Sequence, residues 1–225
     1  MYSIFGCNNK ISKQDTKFNL ISKNSYLIDY YNGLSIYRLK ETKKPMDGYY
    51  VIGDKFKKWE EFNVNQGILN GKLHGEEKIY YMSGSLKRLN NYSNGIRYGK
   101  TTEYFETGQI LSESKVENNE VIESIAFNNI GQITSQMFIK EGREIRQNIK
   151  NGKVVYEQIS SNYDNFEAMR FYNEDGGLAI YLRMLEEENK SYLIELDENE
   201  NEIKRIDVKS NPQELLKYQK YLSAI

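Results

Sequence analysis

The chain has 225 residues, of which 39% are hydrophobic and 28% charged, and its formal net charge is -1 at pH 7. A single cysteine, Cys7, excludes an internal disulfide framework, and a single histidine, His74, excludes the usual zinc clusters. No apolar stretch is long enough for a membrane span, and the low apolar content favours a thin sheet over a thick two-sided core.

The first 25 residues carry no repeat signal and are assigned to an N-terminal segment. Residues 1–10 lack the charged region and apolar run of a secretory signal, so the chain as written is predicted to be cytoplasmic. Residues 4–7, Ile-Phe-Gly-Cys, faintly resemble the cleavage box of a bacterial lipoprotein. Lipidation of Cys7 would follow only if the true start lies upstream of Met1.

Two strand-like runs, at residues 26–31 and 34–39, flank the pair Asn32-Gly33. An Asn-Gly pair is a strong hairpin signal, because both central residues of a type I′ turn need a positive φ. The sequence therefore predicts a β-hairpin over residues 26–39.

A unit of 23 to 24 residues recurs along the chain, most clearly over residues 65–145. Each unit carries two turn positions, as a repeated β-hairpin requires. One series of glycines is Gly84, Gly108, Gly131, Gly152 and Gly176, and the other series is Gly71, Gly95, Asn119 and Gly142. The residues that define the repeat are Gly75, Tyr80, Gly84, Leu86, Tyr92, Gly95, Gly99, Tyr104, Gly108, Ile110, Gly131 and Ile133.

Apolar residues recur two and eight positions after the first series of glycines, as at Leu86 and Tyr92 or at Leu178 and Met184. These offsets have the same parity, so the residues are predicted to lie on one face of the sheet. A helical or leucine-rich solenoid is the competing interpretation of this period. It does not fit glycines that alternate with short Tyr-rich and β-branched runs.

The predicted fold is mainly β: an elongated antiparallel meander of repeated β-hairpins over residues 26–208, degenerate over 26–64 and 146–208. Residues 209–225 are predicted to form a short C-terminal helix. Asn211 would be its N-cap, Pro212 its first residue and Glu214 its third. This helix is expected to cover the last exposed strand edge and so to suppress sheet-to-sheet association.

The motif from Asn70 to Gly95 has the form Asn-Gly, then Gly-Glu-x-x-x-Tyr-Tyr-x-x-Gly-x-Leu, then Tyr-x-x-Gly. It resembles the MORN-repeat variant of the bacterial YwqK-like antitoxin family. The copy from Asn94 to Asn119 matches less fully, and the pattern fades after Glu144. The resemblance implies a hairpin meander and an antitoxin or immunity protein that neutralises a cognate bacterial toxin.

Charge is unevenly distributed along the chain. Residues 157–207 contain 14 acidic and 5 basic residues, a balance of -9, although the whole chain is close to neutral. An acidic surface would steer a basic partner, such as a toxin that acts on nucleic acid. The residues predicted to bind such a partner are Glu186, Glu187, Glu188, Asp197, Glu198, Glu200, Glu202, Tyr181 and Tyr192. A solvated surface without a partner is the competing interpretation of these charges.

No catalytic residue, metal ligand or cofactor is predicted. His74 is assigned to a loop between Gly71 and Gly75, and the acidic run 197–202 lacks the glycine of a calcium loop, so it is interpreted as a charged turn. The alternative function is a MORN-type scaffold or membrane-surface module, although the acidic segment opposes membrane binding. Direct nucleic-acid binding is not expected, and the sequence does not define an oligomeric state.

Overall fold

The computed structural model describes residues 18–53, 63–161 and 163–222. Most of the N-terminal segment, including Cys7, lies outside these residues. Within them, sixteen strands form one long sheet and two more form a separate hairpin. The predicted fold class, a β-hairpin meander with a short C-terminal helix, is confirmed. No helix in this part of the chain is long and apolar enough to cross a membrane.

The N-terminal strands depart from a simple meander. The strand β1 pairs with β4 in parallel, so the long sheet is mixed at this end. The predicted hairpin of β2 and β3 is confirmed, with Tyr31 paired to Leu34 across Asn32-Gly33. It lies outside the long sheet and packs on one of its faces. The bounds of this region are β1 (Phe18–Ile21), a 3-10 turn (Lys23–Ser25), β2 (Tyr26–Tyr31), β3 (Leu34–Leu39) and β4 (Gly48–Gly53).

From β5 onward each strand pairs antiparallel with the next, except that the two-residue strand β8 pairs only with the end of β7. The strands are β5 (Asn63–Leu69), β6 (Lys72–Tyr80), β7 (Leu86–Ser93), β8 (Ile96–Arg97), β9 (Gly99–Tyr104), β10 (Ile110–Glu117), β11 (Glu120–Phe127), β12 (Ile133–Lys140), β13 (Arg143–Lys150), β14 (Lys153–Ser161), β15 (Phe166–Tyr172), β16 (Leu178–Glu187), β17 (Lys190–Leu196) and β18 (Glu202–Asp207).

Two kinds of turn join these strands, and they correspond to the two series of glycines in the repeat. Tight two-residue turns have positive φ at both residues, as at Asn94 and Gly95 with φ of 50° and 88°. Longer turns have one positive φ, as at Gly108, whose N–H donates to the Phe105 carbonyl. Gly152 follows Asn151 in a tight turn, which corrects its assignment to the series of Gly108.

Directly paired residues in neighbouring strands point to the same face of a sheet. One row of such pairs crosses the long sheet without interruption. We call the face that carries this row the capped face and the opposite one the open face. The row begins at Ile52 on β4 and continues from β6 onward through Ile79, Arg88, Glu103, Ser112, Ala126, Ser135, Asn148, Tyr156 and Phe171.

Three buried clusters form the core. The hairpin-capped cluster lies on the capped face beneath β2 and β3, and it contains Met46, Tyr50, Ile52, Ile68 and Leu73. The helix-capped cluster lies on the same face at the other end, and it contains Met169, Phe171, Leu182, Leu193, Ile206 and Tyr218. The open-face cluster contains Ile159, Phe166, Ala168, Tyr181, Ile194 and Leu196. The capped face is therefore covered at both ends, by a hairpin and by a helix.

A β-bulge follows each of the longer turns and changes the predicted faces. Tyr172 pairs with Leu178, but the neighbouring Phe171 pairs with Ile180. The extra residue puts Leu178 against the open-face cluster, while Met184 packs against the helix-capped cluster. The prediction that the two offsets share a face is therefore wrong, because strict alternation holds only along an uninterrupted strand.

The C-terminal segment is a 3-10 helix (Pro212–Tyr218) followed by one α-helical turn (Gln219–Leu222). Pro212 lies at the start of the helix as predicted, but the Asn211 side chain makes no capping hydrogen bond. The helix packs on the capped face through Tyr218, which is 1% exposed. It therefore covers a face of the sheet, which corrects the expectation that it covers the last strand edge.

Candidate functional site

The acidic residues predicted to bind a partner lie at two separate places. Residues 186–188 lie at the turn between β16 and β17 and are exposed. Residues 197–202 lie at the turn between β17 and β18, at the opposite end of β17. The seven residues of β17 separate the two turns by about 23 Å. The two turns therefore do not form one continuous patch, although the Glu187 and Glu202 side chains both reach Arg205.

Two of these carboxylates stabilise the chain itself. Asp197 accepts hydrogen bonds from the Asn199 and Asn201 N–H groups at 2.9 and 2.8 Å, and the Asn201 side chain contributes most to lowering the pKa of Asp197. Glu200 has a φ of 66° and occupies the position that glycine holds in the other long turns. Residues 197–202 thus form a fifth turn of the longer kind, in agreement with their interpretation as a charged turn.

One arginine neutralises part of the remaining acidic surface. Arg205 lies 2.9 Å from Glu187 and 2.8 Å from Glu202, so it bridges carboxylates that originate from the two turns. Within the described part of the chain, ion pairs are absent from four of the predicted acidic residues, and one of these, Asp197, is hydrogen-bonded within its own turn while the other three have no such partner. These three free carboxylates are Glu186, Glu188 and Glu198.

The two predicted tyrosine anchors have different environments. Tyr181 is fully buried, and its hydroxyl donates to Glu200 at 2.9 Å while the Arg170 guanidinium lies 4.3 Å from its ring centroid. Its ring belongs to the open-face cluster and is inaccessible to a partner in this structure. Tyr192 is half-buried beneath Arg205, whose guanidinium lies 5.2 Å from the ring centroid.

An ion pair that the sequence did not indicate shows that the sheet coils. Arg143 at the start of β13 donates to both oxygens of Glu200, at 2.7 and 2.9 Å. On a flat sheet, β13 and β17 would lie about 19 Å apart, farther than the two side chains can span. The C-terminal half of the sheet therefore curves towards the open face, and the Arg143 guanidinium lies 3.8 Å from the Phe166 ring centroid.

A polar network continues across this curved face. Glu157 is buried and accepts a hydrogen bond from the Tyr172 hydroxyl at 2.6 Å and another from Gln147. Arg170 lies 3.6 Å from Glu157. A buried carboxylate needs such partners, because burial without them costs several kcal/mol, of order 3 or more. These contacts therefore stabilise the curvature of the sheet.

The capped face contains a trough beside the C-terminal helix. Two neighbouring cavities of about 610 and 670 Å³ are both lined by Ser160 and Ser161. A row of paired residues crosses both cavities, and it consists of Ile139, Glu144, Ser160, Glu167 and Met184. We call the surface formed by this row, together with Glu120, Ile122, Met137, Arg146, Tyr163 and Glu186, the trough.

The trough combines apolar and acidic residues. We call the adjoining apolar residues of β11 and β12, which are Ile122, Met137 and Ile139, its floor, and we call its carboxylates, which are Glu120, Glu144, Glu167 and Glu186, its rim. Met137 is buried, whereas Ile139 is 52% exposed. Four carboxylates line it, and Arg146, which pairs with Glu144 at 2.5 Å, is the one cation among the lining residues that the structure describes. Of the predicted partner-binding residues only Glu186 belongs to the trough. Sequence reasoning missed the others because they come from several strands.

Chemistry at His74 and at a metal site was not predicted. His74 is exposed as expected but lies on β6, which corrects its assignment to a loop, and its Nδ1 accepts a weak hydrogen bond from the Asn94 N–H at 3.4 Å. In residues 18–53, 63–161 and 163–222, no group of three His, Cys, Asp or Glu side chains could hold a metal ion.

Comparison of the sequence with protein-family models and with curated proteins gives no match. The resemblance to MORN repeats consequently depends on the repeat residues themselves. Those residues account for the hairpin turns, and they assign no partner.

Proposed function

We propose that this protein is an antitoxin or immunity protein, which binds and neutralises a cognate bacterial toxin through an extended sheet surface. The observation that carries the proposal is the acidic balance of -9 over residues 157–207. In this region Glu186, near the end of β16, and Glu188 and Glu198, on turns, are exposed and have no ion pair among the described residues. The family resemblance supplies the class of partner.

The physical basis of the proposal is long-range attraction. A toxin that acts on nucleic acid needs a basic cleft for phosphate groups, and an acidic protein surface can occupy such a cleft. Attraction of this kind raises the association rate more than the intrinsic affinity, and it weakens as salt screens the charges. A sheet of sixteen strands also offers a broad surface for contact.

The experiment is co-expression with the product of a neighbouring gene, followed by purification of the mixture at low salt. The proposal expects the neighbouring product to be toxic alone, harmless with this chain, and recovered in a complex. A neighbouring product that binds but has no toxicity would instead favour the MORN-type scaffold. Absence of any complex at low salt would refute the proposal.

A charge-reversal variant tests the acidic surface within that experiment. Replacing Glu186, Glu187 and Glu188 with Lys should slow association and weaken the complex about tenfold or more. The matched control replaces three exposed carboxylates of distant turns, Glu41, Glu106 and Glu174, with Lys, which gives the same change in net charge. Equal effects of both variants would show that only net charge matters.

A further inference from the structure

The uncovered part of the capped face is the feature from which a more specific inference follows. At one end the hairpin of β2 and β3 covers this face, and at the other end the C-terminal helix covers it. Between them the trough remains open, with Ile139 at 52% exposure next to buried Met137. A sheet face with apolar side chains is stable when a second layer of structure covers it. The trough lacks such a layer, whereas the parts of the capped face on either side of it have one.

The size of the trough limits what can cover it. Its row of paired residues spans five strands, from Ile139 on β12 to Met184 on β16, or about 19 Å. A helix of about 13 residues has this length. The C-terminal helix already packs against the same face, and Met184 packs against the cluster beneath it. A second helix laid beside it would continue the same layer.

The carboxylates of the trough determine which charge a bound segment must carry. Glu120, Glu167 and Glu186 have no ion pair among the described residues, and Glu144 pairs with Arg146. Lysine or arginine side chains of a bound helix could reach these three free carboxylates while its apolar stripe contacts Ile139 and Met137. An acidic segment would be repelled by these carboxylates, and a uniformly polar segment would leave the apolar floor exposed to water.

We propose that the trough is the docking surface for a basic amphipathic helix of the partner protein. This inference rests on the proposed function for the identity of the partner, but it assigns a surface that shares only Glu186 with the predicted acidic residues. The apolar floor provides the area that is buried, and the acidic rim fixes which partner is attracted and how it is oriented.

The test uses the full chain and a synthetic peptide, so it does not need the toxin. The probe is a 14-residue helical peptide of Leu and Lys with one apolar stripe, and binding is measured by fluorescence anisotropy at low salt. Analogues with Glu for Lys, or with Gln for Leu, should bind about tenfold or more weakly, because each loses one of the two contacts. Equal binding of all three peptides would overturn the inference.

Variants of the protein locate the binding. The triple substitution Glu120→Gln, Glu167→Gln and Glu186→Gln should weaken binding of the Leu-Lys peptide about tenfold, because three exposed charge contacts are lost. The matched control is Glu41→Gln, Glu106→Gln and Glu174→Gln, which removes the same charge at exposed distant positions. Equal losses in the two triple variants would refute the docking surface.

A second pair of variants tests the floor. Ile139→Asp should weaken peptide binding about tenfold, whereas Ile130→Asp, at a residue that is 70% exposed in the turn between β11 and β12, should not. Both isoleucines are exposed, so unchanged thermal midpoints would verify the fold of each variant. A toxin complex that tolerates the trough variants would refute this inference alone, whereas peptide binding at the trough without any toxin partner would refute the proposed function alone.

Discussion

The ion pair of Arg143 and Glu200 should control how tightly the sheet coils, and Arg143→Met tests this. The substitution removes the guanidinium but keeps most of the aliphatic stem. It deletes two hydrogen bonds to Glu200, at 2.7 and 2.9 Å, and a cation–π contact of 3.8 Å to the ring centroid of Phe166. Glu200 keeps its hydrogen bond from the Tyr181 hydroxyl.

The expected loss of stability is about 2 kcal/mol. A hydrogen-bonded charge pair contributes roughly 1.5 to 3 kcal/mol when it is shielded, and a cation–π contact about 0.5 to 1 kcal/mol. The Arg143 and Glu200 side chains are 26% and 33% exposed, so solvent weakens their attraction and the lower part of the range applies.

The assay is urea unfolding of the wild type, Arg143→Met, Glu200→Gln and the double variant. The double-mutant cycle should give a coupling energy of about 1 kcal/mol. Arg146→Met is the matched control, because Arg146 is 61% exposed and pairs with Glu144, and it should cost less than about 0.5 kcal/mol. Equal costs for the two arginine variants would refute the argument that the coil depends on Arg143.

The same pair predicts a pH dependence. Burial alone raises the pKa of Glu200, but hydrogen bonds from Arg143 and Tyr181 and the nearby guanidinium charges outweigh it, so the pKa lies below its ordinary value of 4.5. A lowered pKa contributes stability above pH 4.5 that is lost as the pH falls through the folded value. The difference between wild type and Arg143→Met should therefore shrink on acidification. A difference that stays constant down to pH 2 would contradict this assignment.

Three further outcomes are expected. Tyr218→Ala should lower the free energy of unfolding by about 3 to 5 kcal/mol, measured by thermal or urea unfolding, because Tyr218 is 1% exposed. Tyr218→Phe should lower it by about 1 kcal/mol, because it loses only the 2.5 Å hydrogen bond to Glu195. Glu141→Asn should raise stability by about 0.5 kcal/mol, because Glu141 has a φ of 53° that Asn tolerates better; destabilisation would contradict the turn assignment. Burial, and then the charge of Glu77, raises the pKa of Tyr92 to about 12, so stability should fall between pH 10 and 12, and Glu77→Gln should lower this pKa in an ultraviolet titration.

The repeat made much of the fold predictable. Asn32-Gly33 fixed a hairpin because a type I′ turn depends on the φ of two adjacent residues. The spacing of Gly84 and Gly108 likewise located two long turns. Gly152 was misassigned, because a tight turn and a long turn can both place glycine at a positive φ.

The surfaces were harder to predict than the turns. The acidic bias of residues 157–207 was visible in the sequence, but the distribution of those charges was not. Arg205 neutralises Glu187 and Glu202 through contacts between strands. Tyr181 was expected at the surface and is buried, because its exposure depends on how the sheet curves.

The sequence by itself determined where the chain turns, because turn conformation is a property of one or two residues and their neighbours. Tertiary structure decided which face each side chain occupies, because one bulge after each long turn reverses the alternation that Leu178 would otherwise follow. It also brought Arg143 to Glu200, 57 residues apart in the chain, and assembled the trough from strands β11 to β16. Those contacts depend on the coil and register of the whole sheet, which no local pattern encodes.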